Sequence, residues 1–219
     1  MSLRTLMRSI SCAGKERRAT KEYCAGALRT GNRVDGGKCR RNGKMDRISG
    51  ASEPLVYLRP MEEADADSIV LWRNKEWVRR NFLYQEPFTR EGHLNWLHTQ
   101  VEPGHVAQFM ICETDSGRAV GSVYFRDIDR INSCAEYGIF IGEEDAVGKG
   151  YGTQAAGLAL RIAFEELGLE SVFLRVFEDN IGARKSYEKA GFLPIKGRQD
   201  EVTTGNQKRT VLFYEIRRR

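Results

Sequence analysis

Three glycines within five residues, Gly148, Gly150 and Gly152, separate an apolar run from a helical pattern. This junction constrains the chain more than any other stretch. Tyr137 to Ile141 is short, apolar and rich in β-formers, bounded by Gly142 and an acidic turn, and so predicts a buried strand. From Thr153 to Leu167 the pattern predicts a helix, with Ala155, Leu158, Ala159 and Ile162 on one face. The local design is strand, glycine turn, helix N-terminus. The first turn of a helix leaves N–H groups without intrahelical partners, and the helix dipole places partial positive charge there. Glycines remove the side chains that would hold an anion away, so a phosphate or pyrophosphate suits the site. Lys149 and Thr153 stand ready to assist.

Two well-known phosphate loops fail on spacing. A Walker A loop needs G-x-x-x-x-G-K followed by Ser or Thr, whereas Gly150 follows Lys149 here. A dinucleotide fingerprint needs G-x-G-x-x-G at the first strand of a βαβ unit, and these glycines run G-x-G-x-G far into the chain. The segment Val147 to Gly152 instead resembles the (Q/R)-x-x-G-x-(G/A) motif of the GCN5-related N-acetyltransferases (GNAT). It matches at both glycines and departs at Val147, where only a backbone N–H is needed. One helix and one strand later, E-D-N-I-G-A-R-K-S-Y-E-K-A-G-F is similar to that family's N-x-x-A-x-x-x-Y-x-x-x-G-F segment at every defined position. The resemblance covers roughly Leu55 to Ile216.

The resemblance implies an acetyl-CoA-dependent N-acetyltransferase, with acetyl-CoA as co-substrate and a primary amine as acceptor. Backbone around Val147, Gly148, Lys149, Gly150, Tyr151, Gly152 and Thr153 would bind the coenzyme diphosphate. Ile139, Phe140 and Ile141 would pair with the pantetheine amides as a strand pairs with its neighbour. Asn180 would hydrogen-bond the pantetheine arm, cap a helix, or do both. Tyr187 falls at the family's general-acid position, and a phenol of pKa about 10 can donate to a thiolate whose acid has a pKa of about 8.5. Its alternative is a ring packed on the core. Glu136 falls where many relatives carry a base that neutralises the amine, or it is an ordinary strand-end carboxylate. Glu76, Glu86 and Asp115 are further candidates. Such a transfer needs a neutral nitrogen and a proton for the departing thiolate, but no covalent enzyme intermediate.

The acceptor is less defined. The run from Trp72 to Arg79 resembles the corresponding part of ribosomal-protein alanine, spermidine and amino-sugar acetyltransferases. It makes Trp72, Arg73, Asn74 and Trp77 candidate substrate contacts, or core. Acceptor classes therefore include a polyamine, an amino sugar, another small amine and a protein N-terminus. A homodimer is expected by analogy. Two other readings compete: a CoA-binding module without catalysis, and a nucleic-acid-associated protein working through a basic leader.

Charge divides the 219 residues. Residues 1–50 carry 13 Lys and Arg against 4 Asp and Glu, a net of +9, while 51–219 carry 22 against 26, a net of −4. The leader lacks apolar periodicity and is read as disordered. It is a solvated tail, a weak targeting segment, or sequence upstream of a true start at Met45. Nucleic acid is an unfavoured partner, and no stretch is long and apolar enough to span a bilayer. Cys12, Cys24, Cys39, Cys112 and Cys134 are odd in number and lack C-x-x-C spacing, so no disulfide framework or zinc site is expected and a cytoplasmic location is the default. His93, His98 and His105 lack a metal-binding context, so no metal is expected.

Residues 51–219 form one predicted α/β domain, a mixed, mostly antiparallel twisted sheet flanked by helices. Leu55 to Pro60 is a strand, Ala64 to Trp72 a helix, and Thr89 a helix N-cap before Leu94, Trp96 and Leu97. Val106 to Glu113 and Ala119 to Arg126 predict a hairpin through D-S-G-R. Phe192 to Ile195 and Val211 to Ile216 supply two more strands.

Overall fold

The computed structural model describes residues 54–205 and 207–219. The disordered leader expected over residues 1–50 therefore lies outside the described residues, as do Met45 and the three leader cysteines. Strand β1 (Val56–Pro60) leads through a 3-10 turn (Glu63–Asp65) into helix α1 (Ala66–Asn74), the short α2 (Glu76–Arg79) and α3 (Arg90–Trp96). Then come β2 (Ala107–Glu113), β3 (Ala119–Asp129), β4 (Cys134–Ile141), α4 (Tyr151–Arg161), β5 (Ser171–Phe177), α5 (Ile181–Lys189), β6 (Leu193–Thr204) and β7 (Gln207–Arg217). The strands form a seven-stranded sheet in the order β1-β2-β3-β4-β5-β7-β6. Every pairing is antiparallel except β4 with β5. The expected mixed, mostly antiparallel α/β domain is what forms.

Side chains alternate across a strand, so β4 feeds two cores. Ala135 and Tyr137 join Val123, Phe125, Val172 and Leu174 under α4 and α5. Ala155, Ala159 and Ala163 are fully buried there, their small size letting α4 lie close on the sheet. Phe140 points to the other face, where Ile69, Trp72, Val78, Leu97 and Met110 pack under α1 to α3. Trp72 is 2% exposed, its ring edge-on to Phe140 at 6.3 Å between centroids, and its indole N–H donates to Glu143 at 2.7 Å. A Cβ at Gly142 would stand 2.2 Å from that ring, so the loop after β4 closes over Trp72 only because residue 142 is glycine.

The local elements form with small shifts of boundary. Thr89 caps α3, accepting from the Gly92 amide at 3.1 Å, and the β2–β3 hairpin forms. Helix α1 starts two residues later than expected because Glu62 and Asp65 make a reciprocal capping box around a 3-10 turn. Asp65 is clamped by Arg59 through bonds of 2.7 and 2.6 Å. Helix α4 starts earlier than expected, at Tyr151, and its periodic pattern runs on as a π-helical turn over Ile162–Glu166. The largest departure is the β6–β7 hairpin, in which Glu201 to Thr204 pair with Gln207 to Thr210. These polar residues extend both strands far beyond their apolar segments.

Candidate active site

The parallel pairing of β4 with β5 covers three residue pairs, Cys134 with Ser171, Ala135 with Val172 and Glu136 with Phe173. Beyond it β4 continues along β3 to Ile141, and β5 continues along β7 to Phe177. The two strands thus part company, and the edge of β4 from Tyr137 to Ile141 faces a gap in the sheet. Ile139, Phe140 and Ile141 stand on this open edge, with Ile139 and Ile141 packed toward the α4 side and Phe140 toward the α1 side.

The glycine turn follows. Gly148 and Gly150 have φ of 80° and 84°, a left-handed conformation that costs an ordinary L-residue about 1–2 kcal/mol. A Cβ at either would meet nothing within 4 Å, so the space above this turn is open and the constraint is on the backbone. Gly150 is the N-cap of α4, leaving the first amides of that helix without intrahelical acceptors. Val147 is 53% exposed and Lys149 lies 5.9 Å from the Tyr151 ring centroid. The turn, open and rich in donors, fits a diphosphate. Thr153 is less available, since its hydroxyl shares a 2.9 Å hydrogen bond with Ser186. A Cβ at Gly152 would approach that same Ser186 hydroxyl at 3.7 Å. Asn180 caps α5, its side-chain oxygen accepting from the Ala183 amide at 3.2 Å.

Tyr187, on α5, sits against Tyr137 and Phe192 at centroid distances of 6.2 and 6.0 Å. Burial pushes its phenol above the ordinary tyrosine range, and the neighbouring Tyr124 adds to the effect. The hydroxyl therefore stays protonated across the neutral range. Glu136 is 5% exposed and held by two guanidinium groups. Arg126 donates to one oxygen at 2.9 Å, and Arg175 reaches both oxygens at 3.0 Å. Oε1 thus accepts two of these bonds and Oε2 one. Of the outlying carboxylates, Glu76 pairs with Arg79 at 2.6 Å.

The segment from Trp72 to Trp77 divides by role. Trp72 is buried, its ring closed in by Phe140 and Gly142, the core alternative of its two readings. Asn74 makes two hydrogen bonds to the Phe88 backbone, 2.7 and 2.8 Å, and so fixes the loop before α3. Trp77 lines an open cleft of about 660 Å³ with Lys75, Glu143, Glu144 and Asp145. Arg73 is 8% exposed, with its Cζ 3.2 Å from the Phe82 ring centroid and 4.8 Å from that of Phe88. Sequence reasoning did not find Tyr124, Arg126 or Arg175. Their placement arises from the register of β3 and β5 on β4, which brings Arg126 opposite Glu136 and Tyr124 opposite Gly138. The one sequence cue for Arg126 and Tyr124 is their shared parity on the predicted strand.

A family model described as acetyltransferase (GNAT) domain matches residues 56–193. The chain belongs to the GNAT acetyltransferase family. This GNAT domain is an N-acetyltransferase that moves an acetyl group from acetyl-CoA to an amine. The spermidine N(1)-acetyltransferase of Escherichia coli K12 is 31% identical over 137 residues, which are 63% of this chain and 72% of that protein. The protein MJ1062 of Methanocaldococcus jannaschii is 29% identical over 148 residues, 67% of this chain, and the matched part spans only 30% of that longer protein. Among solved structures, the GNAT domain is similar in fold to spermidine N-acetyltransferase from Vibrio cholerae in complex with CoA and spermine. That match has a TM-score of 0.69 at 22% identity, covering 74% of this chain and 95% of that one. Among the described residues no helix is long and apolar enough to cross a membrane, and no cluster of His, Cys, Asp or Glu is arranged to hold a metal.

Proposed function

We propose that acetyl-CoA lies through the gap between β4 and β5, with its diphosphate on main-chain donors of residues 147–153 and its thioester beside Tyr187. The open edge of β4 from Tyr137 to Ile141 pairs with the pantetheine amides, and Asn180 borders the same arm from the start of α5. The acceptor amine arrives from the α1–α3 face. Its neutral nitrogen attacks the thioester carbonyl, the C–S bond breaks, and the Tyr187 hydroxyl protonates the departing sulfur. The second proton of the amine leaves to water, which later restores the phenol. Glu136, bound by Arg126 and Arg175, serves to hold those arginines.

One observation carries this reading. β4 stops pairing with β5 after Glu136, between an open glycine turn and a buried tyrosine. Positioning of this kind supplies much of the rate of a direct transfer. The acceptor is a primary amine, and the spermidine acetyltransferase relatives put a polyamine in the panel beside amino sugars, amino acids and protein N-termini. We place the reaction in the cytoplasm, supported by the buried thiols of Cys112 and Cys134. A homodimer is the proposed assembly, by analogy alone.

A thiol-release assay with acetyl-CoA against that amine panel tests the reading. Acetyl-dependent release that Tyr187→Phe abolishes is the expected result. Tight CoA binding without transfer to any amine would instead favour a coenzyme-binding module.

A further inference from the structure

The face of the sheet opposite α4 and α5 carries an unusual excess of positive charge beside the gap. Arg126 and Arg175 meet there on Glu136, the one carboxylate among the described residues hydrogen-bonded to either of them, and Arg73 is near enough to Arg126 to feel its charge. Arg126 also lies 3.7 Å from Asp127, an exposed residue at the strand end. Arg73 has no ion pair or hydrogen bond among the described residues. Its Nη1 is buried without an acceptor, although the residue is more than nine-tenths buried. Arg126 Nε is likewise buried without an acceptor. A guanidinium stacked between Phe82 and Phe88 gains from the rings but leaves its in-plane donors to be satisfied by something else.

These groups are next to the reacting centre. Tyr124 stands two positions before Arg126 on the same face of β3, opposite Gly138, and its phenol bears on the charge of Arg73 and on the phenols of Tyr137 and Tyr187. Its ring covers Gly138, where a Cβ would stand 2.2 Å from the tyrosine Cζ. Gly138 belongs to the part of β4 that has no β5 partner. Tyr124 therefore bridges the arginines and the gap. The other titratable group packed on Arg73 is His93, 2% exposed and with both ring nitrogens unpartnered. Burial and Arg73 hold it down to a pKa of about 4, so it adds no charge at neutral pH.

Resting on the reading that acetyl-CoA fills the gap, we infer that the acceptor is an amine that also carries an anionic group, a phosphate or a carboxylate, which Arg73 and Arg126 receive. Two guanidiniums with unused donors match such an oxyanion in charge and geometry. A plain polyamine brings only positive charge to a wall of three arginines and one glutamate.

The test is calorimetry on the CoA-saturated full chain, so that the coenzyme's own phosphates already fill the glycine turn. The titrants are glucosamine 6-phosphate with glucosamine, 6-aminohexanoate with hexylamine, and spermidine. The expected result is that the member of one pair that carries the oxyanion binds at least ten-fold more tightly than its partner without it and than spermidine. The pair that responds distinguishes phosphate from carboxylate. Arg73→Gln should erase that preference while CoA still binds. Arg175→Gln, at a more exposed position, provides a second reading, since it leaves Glu136 to neutralise Arg126 and should cut the same preference. Thermal melts of both variants report folding. Spermidine or an amine without an oxyanion binding best, no titrant binding, or a preference unmoved in both variants would overturn the inference. Failure of CoA to bind the native chain would instead remove the coenzyme reading on which it rests.

Discussion

The two halves of the active site are made of different material. On the proposed coenzyme side recognition would fall to the main chain, through the left-handed glycines 148 and 150, the first amides of α4 and the unpaired edge of β4. The side chains there are exposed or tied up, as Thr153 is with Ser186. On the proposed acceptor side recognition would fall to buried side chains, with Arg73 against two phenylalanines and Glu136 between two arginines. Main-chain donors suit a ligand common to a whole family, because any sequence with the right turn presents them. Buried charges suit a particular ligand, because each must be compensated individually. The comparison teaches where specificity resides in this molecule.

The sharpest break between the halves should come at Tyr187, where they meet. Tyr187→Phe is expected to lower kcat by about 10²–10⁴-fold with little change in KM for acetyl-CoA. Steady-state thiol release measures this, and an unchanged kcat would take the phenol out of the reaction. Next comes Glu136→Gln, which leaves Arg126 and Arg175 without their shared countercharge. A loss of about 3–5 kcal/mol in urea unfolding is expected, with CoA affinity preserved. Equal damage to both would mean that the two sides are not separable.

Acid should act on the acceptor side through His93. Its folded pKa of about 4 lies below the ordinary value of 6.5, so the unfolded chain binds the extra proton first. Stability is complete above pH 6.5 and falls as pH drops from there through 4, by up to about 3 kcal/mol. His93→Phe should flatten that part of a melting-temperature profile, and an identical profile would assign the acid loss to other groups. The smallest expected effect is at the turn itself. Gly150→Val forces a β-branched residue into the left-handed region at about 1–2 kcal/mol. Acetyl-CoA affinity should fall about ten-fold by calorimetry, and the melting temperature should fall only by the few degrees this backbone cost implies, because no neighbouring atom lies near the new side chain.

The same contrast explains what could be read from the residues alone. The coenzyme side is local, with strand, turn and cap consecutive between Tyr137 and Thr153, so periodicity and glycine spacing suffice. Thr89 was legible for the same reason, since a cap is a relation between residues three apart. Arg126 and Arg175 are separated by 49 positions and meet only through strand register. No window of sequence contains that relation. Trp72 offered two meanings, wall or core, and the close approach of Gly142 from 70 residues away chose core. The polar half of β6 escaped notice because its outward positions carry no alternation of apolar and polar residues. Its order comes from backbone pairing with β7.

The parted strands have a thermodynamic corollary. A ladder interrupted from Tyr137 onward leaves amide hydrogens on one edge of β4 bonded to solvent, where they trade freely for deuterium. A pantetheine arm lying in that seam acts as a temporary eighth stave. Coenzyme uptake should therefore slow isotope exchange at alternate residues of 137–141 and leave the β3-facing amides as they were. Protein and coenzyme would then share one continuous sheet for the length of a catalytic cycle.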